Sequence, residues 1–256
     1  MSAGRTFVRQ VGWEQRSFWR NPSSAAFTFA FPLLFLVVFI AINGNDTVTL
    51  SGGKVPFAQF YVPAIVAFGL ISASYTNLAF ALSIRRDNGL LKRVRGTPLR
   101  PALYLAGMGG NVVVISVILT VLVTLLGVVA YGVTFPDRYL GLAIALVFGA
   151  FCFAAIGSMV STFVPNEDAA PAIINFVLFP MLFISGTFGR IDATSALGRT
   201  ASVFPVWHLN KLLEGVFNPN TTGNGVAVGH LAVLAAWGVG ALVVAARRFR
   251  WEPRTR

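Results

Sequence analysis

The chain has 256 residues, of which 55% are hydrophobic and only 11% charged, with a mean hydropathy of +0.72. That balance excludes a soluble globular domain and describes a polytopic membrane protein. The formal net charge of +11 comes from short basic segments beside apolar runs. Such a pattern sets orientation and meets anionic lipid headgroups rather than nucleic acid.

Residues 1–22, MSAGRTFVRQVGWEQRSFWRNP, read as an interfacial amphipathic helix. At about 100° per residue, Arg5, Arg9, Arg16 and Arg20 fall within an arc of about 60°, with Phe7, Val11 and Phe18 opposite. One face suits phosphate headgroups and the other acyl chains. A basic tail that only sets orientation is the plainer alternative.

Asn21-Pro22 ends that helix, and six apolar runs follow at 23–42, 57–84, 103–133, 139–164, 169–188 and 226–246. Each has about the twenty residues that a hydrocarbon core of about 30 Å requires. The expected fold class is an all-α membrane protein with six transmembrane helices, a single transmembrane domain over 1–256. Pro32 predicts a kink in the first run, and residues 43–56 read as a turn region. Gly107, Gly109, Gly110 and Asn111, near the start of the third run, either let a neighbour approach closely or break the helix. Small residues at four-residue spacing, Ala150, Ala154 and Ser158 in the fourth run and Ala232, Ala236 and Gly240 in the sixth, predict helix-packing faces. The single cysteine, Cys152, excludes an internal disulfide and reads as a packing residue. Residues 189–225 are too polar to span and too apolar for a free loop. They predict two short helices, a re-entrant segment dipping into the outer leaflet.

Between the second and third runs lies SIRRDNGLLKRVRGTPLRP, residues 83–101, with Arg85, Arg86, Lys92, Arg93, Arg95 and Arg100 against one acid, Asp87. At about 2.5–3.5 kcal/mol per charge at a bilayer centre, this segment must lie in water. The excess of Lys and Arg in cytoplasmic loops makes that water the cytosol. Six spans then put both termini in the cytoplasm, with 15 of the 20 basic residues inside and Lys54, Arg138, Arg190, Arg199 and Lys211 outside. The segment is either a docking surface through which a second protein drives the bundle or a set of charges that only fixes orientation.

Gradient-coupled carriers need ionisable groups at membrane depth, and the six runs contain no Asp, Glu, Lys or Arg. His230 lies at the outer end of the sixth run, so proton coupling is disfavoured, and sodium coordination by backbone carbonyls remains open. The only Gly-Lys, Gly53-Lys54, is followed by Val55, so no phosphate-cradling loop is present. Work against a gradient therefore needs a separate subunit. No H-E-x-x-H, G-x-S-x-G or Cys/His cluster points to an enzyme. His208 and His230 lie 22 positions apart, and His208 and Glu214 fit the polar side of a surface helix.

Residues 87–98, DNGLLKRVRGTP, resemble the stretch E-x-G-T-L-E-R-L-R-A-T-P of the type-2 permeases of ATP-binding-cassette exporters, the drug-resistance, lipid and polysaccharide export group. They match at Gly89, Leu91, Arg93, Arg95, Thr97 and Pro98 and depart at Leu90 and Lys92. Ser185-Gly186 after the fifth run and Phe204-Pro205 before the last occupy two further family positions, whereas Gly189-Arg190 stands where a proline is expected.

This resemblance implies a non-catalytic half-transporter in the cell (inner) membrane. Two permeases, identical or paralogous, would join two cytosolic nucleotide-binding ATPase subunits that hold the ATP and magnesium, with no cofactor in this chain. It implies a coupling helix at the basic segment, with Leu90, Leu91 and Val94 entering an ATPase groove. Arg85, Arg86, Asp87, Arg93 and Arg95 would grip the rim, and Gly89, Thr97 and Pro98 would shape the turn. The expected cargo is an amphiphile, drug-like or lipid, on a path lined by Phe31, Phe35, Phe60, Phe68, Asn77, Phe176, Phe179 and Phe183. A lipid-linked glycan is the alternative cargo, and a non-transporting scaffold is the competing function.

Overall fold

The computed structural model describes residues 3–50, 53–189, 191, 194–249 and 251. Arg190, Arg250, Arg254 and Arg256, part of the charge distribution above, lie outside the described residues. Helix α1 (Ala3–Trp19) ends at Asn21-Pro22, where Asn21 Oδ1 accepts the Ser24 N–H at 3.3 Å and Pro22 takes the first position of α2 (Pro22–Asn43). Residues expected to form only a turn instead pair as an antiparallel hairpin, β1 (Thr47–Leu50) with β2 (Gly53–Pro56), in which Val48 faces Val55. Four-residue strands cannot be recognised by periodicity in so short a run.

The second apolar run is one rod in three parts: α3 (Phe57–Ile71), a π-helical turn (Ser72–Thr76) and α4 (Asn77–Asp87). In the turn the Asn77 N–H reaches the Ser72 carbonyl, five residues back. Nearly all of α3 is buried, because it forms the axis around which the other helices pack. After α5 (Leu90–Arg95) come α6 (Pro101–Tyr131), α7 (Tyr139–Ser161), α8 (Ala170–Ile184), α9 (Ala196–Ala201), α10 (Pro205–Phe217) and α11 (Val228–Arg248).

Five helices among the described residues are long and apolar enough to cross a membrane, Pro22–Asn43, Phe57–Asp87, Ala102–Tyr131, Tyr139–Ser161 and Val228–Arg248. The chain is thus a mainly helical membrane protein. Helix α8, where the fifth run was expected to cross, has 15 residues and a length of about 22 Å, short of a bilayer core. It stops where Ser185 and Gly186 turn the chain, Gly186 adopting φ +79°, a conformation only glycine takes without strain.

Two packing expectations change. Helix α6 runs unbroken through Gly107, Gly109 and Gly110, and close approach is served by Gly107, against Gln10, and Gly110, against Val11, while Gly109 has nothing within 4 Å. The small-residue stripe Ala232, Ala236 and Gly240 is exposed in this protomer, and α11 meets α7 through Gly238, Ala241 and Ala245 instead. A Cβ on Gly238 would sit 2.6 Å from Phe151 Cε1, so only glycine admits that ring.

Candidate functional site

The cations gather at one end of the bundle, the basic end, opposite the hairpin end. There α4 stops at Asp87, and Gly89, at φ +68°, reverses the chain into the six-residue α5. Thr97 Oγ1 donates to the Val94 carbonyl at 2.7 Å and accepts the Leu99 N–H, which closes the turn before α6. So short a helix persists only by packing, and Leu91 supplies it, fully buried among Leu78, Leu82, Tyr104 and Met108, with Val94 against the same cluster. This corrects the reading in which Leu90, Leu91 and Val94 all enter a partner. Only Leu90 is exposed, together with Lys92, Arg93, Arg95, Thr97, Pro98 and Arg100.

Arg85 and Arg86 likewise face inward rather than toward a partner. The Arg85 guanidinium donates to both carboxylate oxygens of Glu14, at 2.9 and 2.7 Å, and to the Tyr104 hydroxyl at 2.7 Å, joining α4 to α1 and α6. Gln10 adds an N–H to Glu14 Oε1 at 3.0 Å. Arg86, buried, donates from its two terminal nitrogens to the Ser161 and Val164 carbonyls at the end of α7. Asp87 Oδ2 accepts the Glu167 N–H at 3.0 Å, which fixes the turn leading to α8. The three residues before the basic turn therefore bind it to four other parts of the chain. Glu14 was missed from the sequence although it lies on the apolar arc of its helix, between Phe7 and Phe18, where an acid needs a partner.

That arc packs on protein rather than on acyl chains. A Cβ on Gly110 would lie 2.6 Å from Val11 Cγ2 and 3.0 Å from Phe7 Cζ, while Phe18 meets Phe29 edge-on at 6.0 Å and Trp19 stacks on Phe29 at 5.5 Å. Arg5, Arg9, Arg16 and Arg20 stay exposed on the opposite side, flanked by exposed Val8, Trp13 and Trp19.

The aromatic candidates divide into groups. Phe31, Phe35 and Phe68 converge at 4.7–6.1 Å, and Phe188 bridges them to Phe183. Phe60 joins through Phe57, Tyr61 and Phe39. Phe176 is 80% exposed and Phe179 51%, both apart from that cluster. Asn77 lies at the basic end, its amide donating to Thr28 Oγ1 at 3.5 Å. An apolar groove of about 480 Å³ follows the outside of α2 past Phe27, Phe31 and Leu34 to Leu126.

At the hairpin end, α10 is not a surface helix. Nine of its 13 residues are buried, among them His208 and Phe217. Phe204 is extended and Pro205 opens the helix, while Asn210 donates to Thr187 Oγ1 at 3.0 Å and to the Ser185 carbonyl at 3.3 Å, tying α10 to the Ser185-Gly186 turn. His208 pairs with His230 rather than Glu214, their Nδ1 atoms 2.8 Å apart, and its Nε2 lies 2.8 Å from the Ser202 carbonyl. A carbonyl only accepts, so His208 carries its proton on Nε2 and its Nδ1 accepts from His230 Nδ1–H. Glu214 instead takes Lys211 at 2.7 Å. Arg138 donates to the carbonyls of Gly223, Asn218, Val216 and Thr221, which fastens the loop before α11.

The sequence pattern of the ABC-2 type transporter family matches residues 9–217. The chain belongs to that family. Proteins named inner membrane transport permease YadH, from Escherichia coli K12, Escherichia coli O157:H7 and Shigella flexneri, are each 24% identical to it over 160 residues, 61% of this chain and 62% of theirs. The chain thus spans about three fifths of the length of the curated relatives it matches. In this ABC-2 type transporter the matched stretch takes in Glu14, the basic turn, the Ser185-Gly186 turn and α10, and stops before α11.

Proposed function

We propose that the chain is the membrane subunit of an ATP-binding-cassette exporter, paired with a second permease, identical or paralogous, and driven by two cytosolic ATPase subunits. One observation carries the reading: the basic turn has two sides with different duties. Its outward side offers Leu90, Lys92, Arg93, Arg95 and Arg100, while its inward side is held by Leu91, Arg85, Arg86 and Asp87. A push on the outward side thus passes directly to α1, α6, α7 and the turn before α8. By the excess of inward-facing cations, the basic end and both termini face the cytoplasm, and α8 with the turn after it completes a sixth crossing. ATP and magnesium sit on the partner. The cargo is an amphiphile, drug-like or lipid, for which the Phe31, Phe35 and Phe68 cluster supplies an apolar surface; a lipid-linked glycan is the alternative cargo.

The test is nucleotide hydrolysis by the permease and ATPase together in liposomes. Reversing Arg93 and Arg95 to Glu should abolish cargo-stimulated hydrolysis while the permease stays folded. Leu90→Asp should weaken co-purification with the ATPase, whereas Leu91→Asp should lower the melting temperature of the permease alone. Unchanged stimulation in the Arg93 and Arg95 variant would overturn the docking role. Binding without any stimulation would favour a scaffold.

A further inference from the structure

Helix α11 lies outside the stretch that matches the family pattern, yet it is attached at both ends of the bundle. At the basic end the chain leaves the helix at Phe249, which is extended, its N–H still held by the Ala245 carbonyl at 2.7 Å. Phe249 and Trp251 meet edge-on at 5.0 Å. Both are partly buried against Leu78, Leu82, Leu91, Tyr104 and Met108, the cluster that seats the basic turn. The Arg248 guanidinium lies 5.1 Å from the centre of the Phe163 ring, and Phe163 stands between Ser161 and Val164, whose carbonyls hold Arg86. Toward the hairpin end, Trp237 Nε1 donates to the Val203 carbonyl at 3.0 Å, and His230 donates to His208 of α10. From His230 to Phe249 is about 28 Å of helix with no internal proline.

We infer that Phe249 and Trp251 are positioning residues, a clasp through which movement of the basic turn is passed to α11 and on to α10. The inference rests on the docking role proposed above and adds α11 to the elements that a push on the turn displaces. Three features carry it. Helix α5 has six residues, too few to persist alone, so its pose is set by what covers Leu91. The other members of that cover stand on α4, α5, α6 and α7 or beside them, whereas Phe249 and Trp251 bring in the end of α11. With no proline to kink it, α11 carries a displacement along its length to His208, and α10 is in turn tied through Asn210 to the Ser185-Gly186 turn. The clasp is thus a link between the docking turn and the hairpin end that does not pass through the π-helical turn of the central rod.

The experiment has two readouts. The first is hydrogen exchange on the purified full chain in detergent, without nucleotide or ATPase. Trp251→Ala uncovers about 60 Å² of apolar surface, so exchange over residues 89–97 should rise about tenfold, with the hairpin strands unchanged. The second is ATP hydrolysis in liposomes as the permease is titrated against the ATPase subunit, with no cargo added. Trp251→Ala should lower the maximal stimulation and leave the half-saturating permease concentration unchanged, because Leu90, Lys92, Arg93 and Arg95 still offer the docking side. Leu90→Asp should instead raise the half-saturating concentration. Trp251→Phe keeps a ring in place and should restore both readouts. Should Trp251→Ala fail to fold, Phe249→Leu trims the same contact more gently and should move both readouts in the same direction. Unchanged exchange over 89–97, or a raised half-saturating concentration with an unchanged maximum, would overturn the clasp. An unaltered permease that gives no stimulation would refute the docking role, and the exchange result, obtained without an ATPase, would still decide whether the aromatic pair holds the turn.

Discussion

Glu14→Ala removes both acceptors of the Arg85 guanidinium and leaves its charge in a largely dry place. The side chains of Glu14 and Arg85 are 8% and 18% exposed, and their hydrogen bonds are 2.7 and 2.9 Å long. Breaking a buried pair by deleting one member costs about 3–5 kcal/mol. Because Arg85 keeps the Tyr104 hydroxyl and is partly wet, the lower end applies, about 3 kcal/mol, or a fall in melting temperature of about 6–12 °C for a chain of this size. Glu14→Leu with Arg85→Met removes both charges together and should cost far less than the two single changes summed. The cycle should yield a coupling of about 2 kcal/mol. Thermal melting in detergent, followed through tryptophan fluorescence, reads the transition. Single-variant losses that add to within about 0.5 kcal/mol would refute the claim that this pair fastens α1 to the bundle.

Arg86→Lys should not preserve the wild-type state, because a point charge cannot straddle the Ser161 and Val164 carbonyls as a planar fork does. A loss of about 1.5–3 kcal/mol and faster hydrogen exchange over residues 161–170 are expected. Gly157→Ala would put a Cβ 2.5 Å from the Tyr75 carbonyl oxygen and 3.1 Å from its Cα, costing about 1–3 kcal/mol in a melt. Gly109→Ala, with nothing within 4 Å, should be neutral or stabilising by up to about 1 kcal/mol. His230→Phe should leave His208 Nδ1 without its donor, lowering stability by about 1–3 kcal/mol with loss of exchange protection at the start of α11.

Apolar length and charge were legible in the sequence: Asn21-Pro22 as a helix boundary, the five helices long and apolar enough to cross a membrane to within a few residues, and two short helices between α8 and α11. What an apolar face touches was not. A helical wheel put Phe7, Val11 and Phe18 on one side of α1 but could not say whether lipid or Gly110 would cover them. The same ambiguity hid Leu91, whose partners Leu78, Tyr104 and Met108 come from two other helices. The six cations around the basic turn looked equivalent as charges, yet Arg85 and Arg86 stand on the last turn of a helix and meet Glu14 and two free carbonyls. Among the described residues, the exposed cations beyond Gly89 have no such neighbours. Glu14 and the His208–His230 contact depend on pairs separated by 71 and 22 positions, a relation that spacing along the chain does not encode.

The π-helical turn at 72–76 has a consequence for how length and attachment are linked in this chain. Such a turn holds one residue beyond the ordinary pitch, so deleting one residue there would restore a regular α-helix with its two ends in register, whereas deleting one residue from the regular turns of α4 would rotate everything toward the basic end by about 100°. Arg85 would swing off the α1 carboxylate and Arg86 off the α7 carbonyls in the same motion, with the hydropathy of the span almost unchanged. The π turn can thus absorb a lost residue, whereas the regular helix beyond it cannot lose one without disconnecting the far end of the bundle, every residue that forms the attachment still being present.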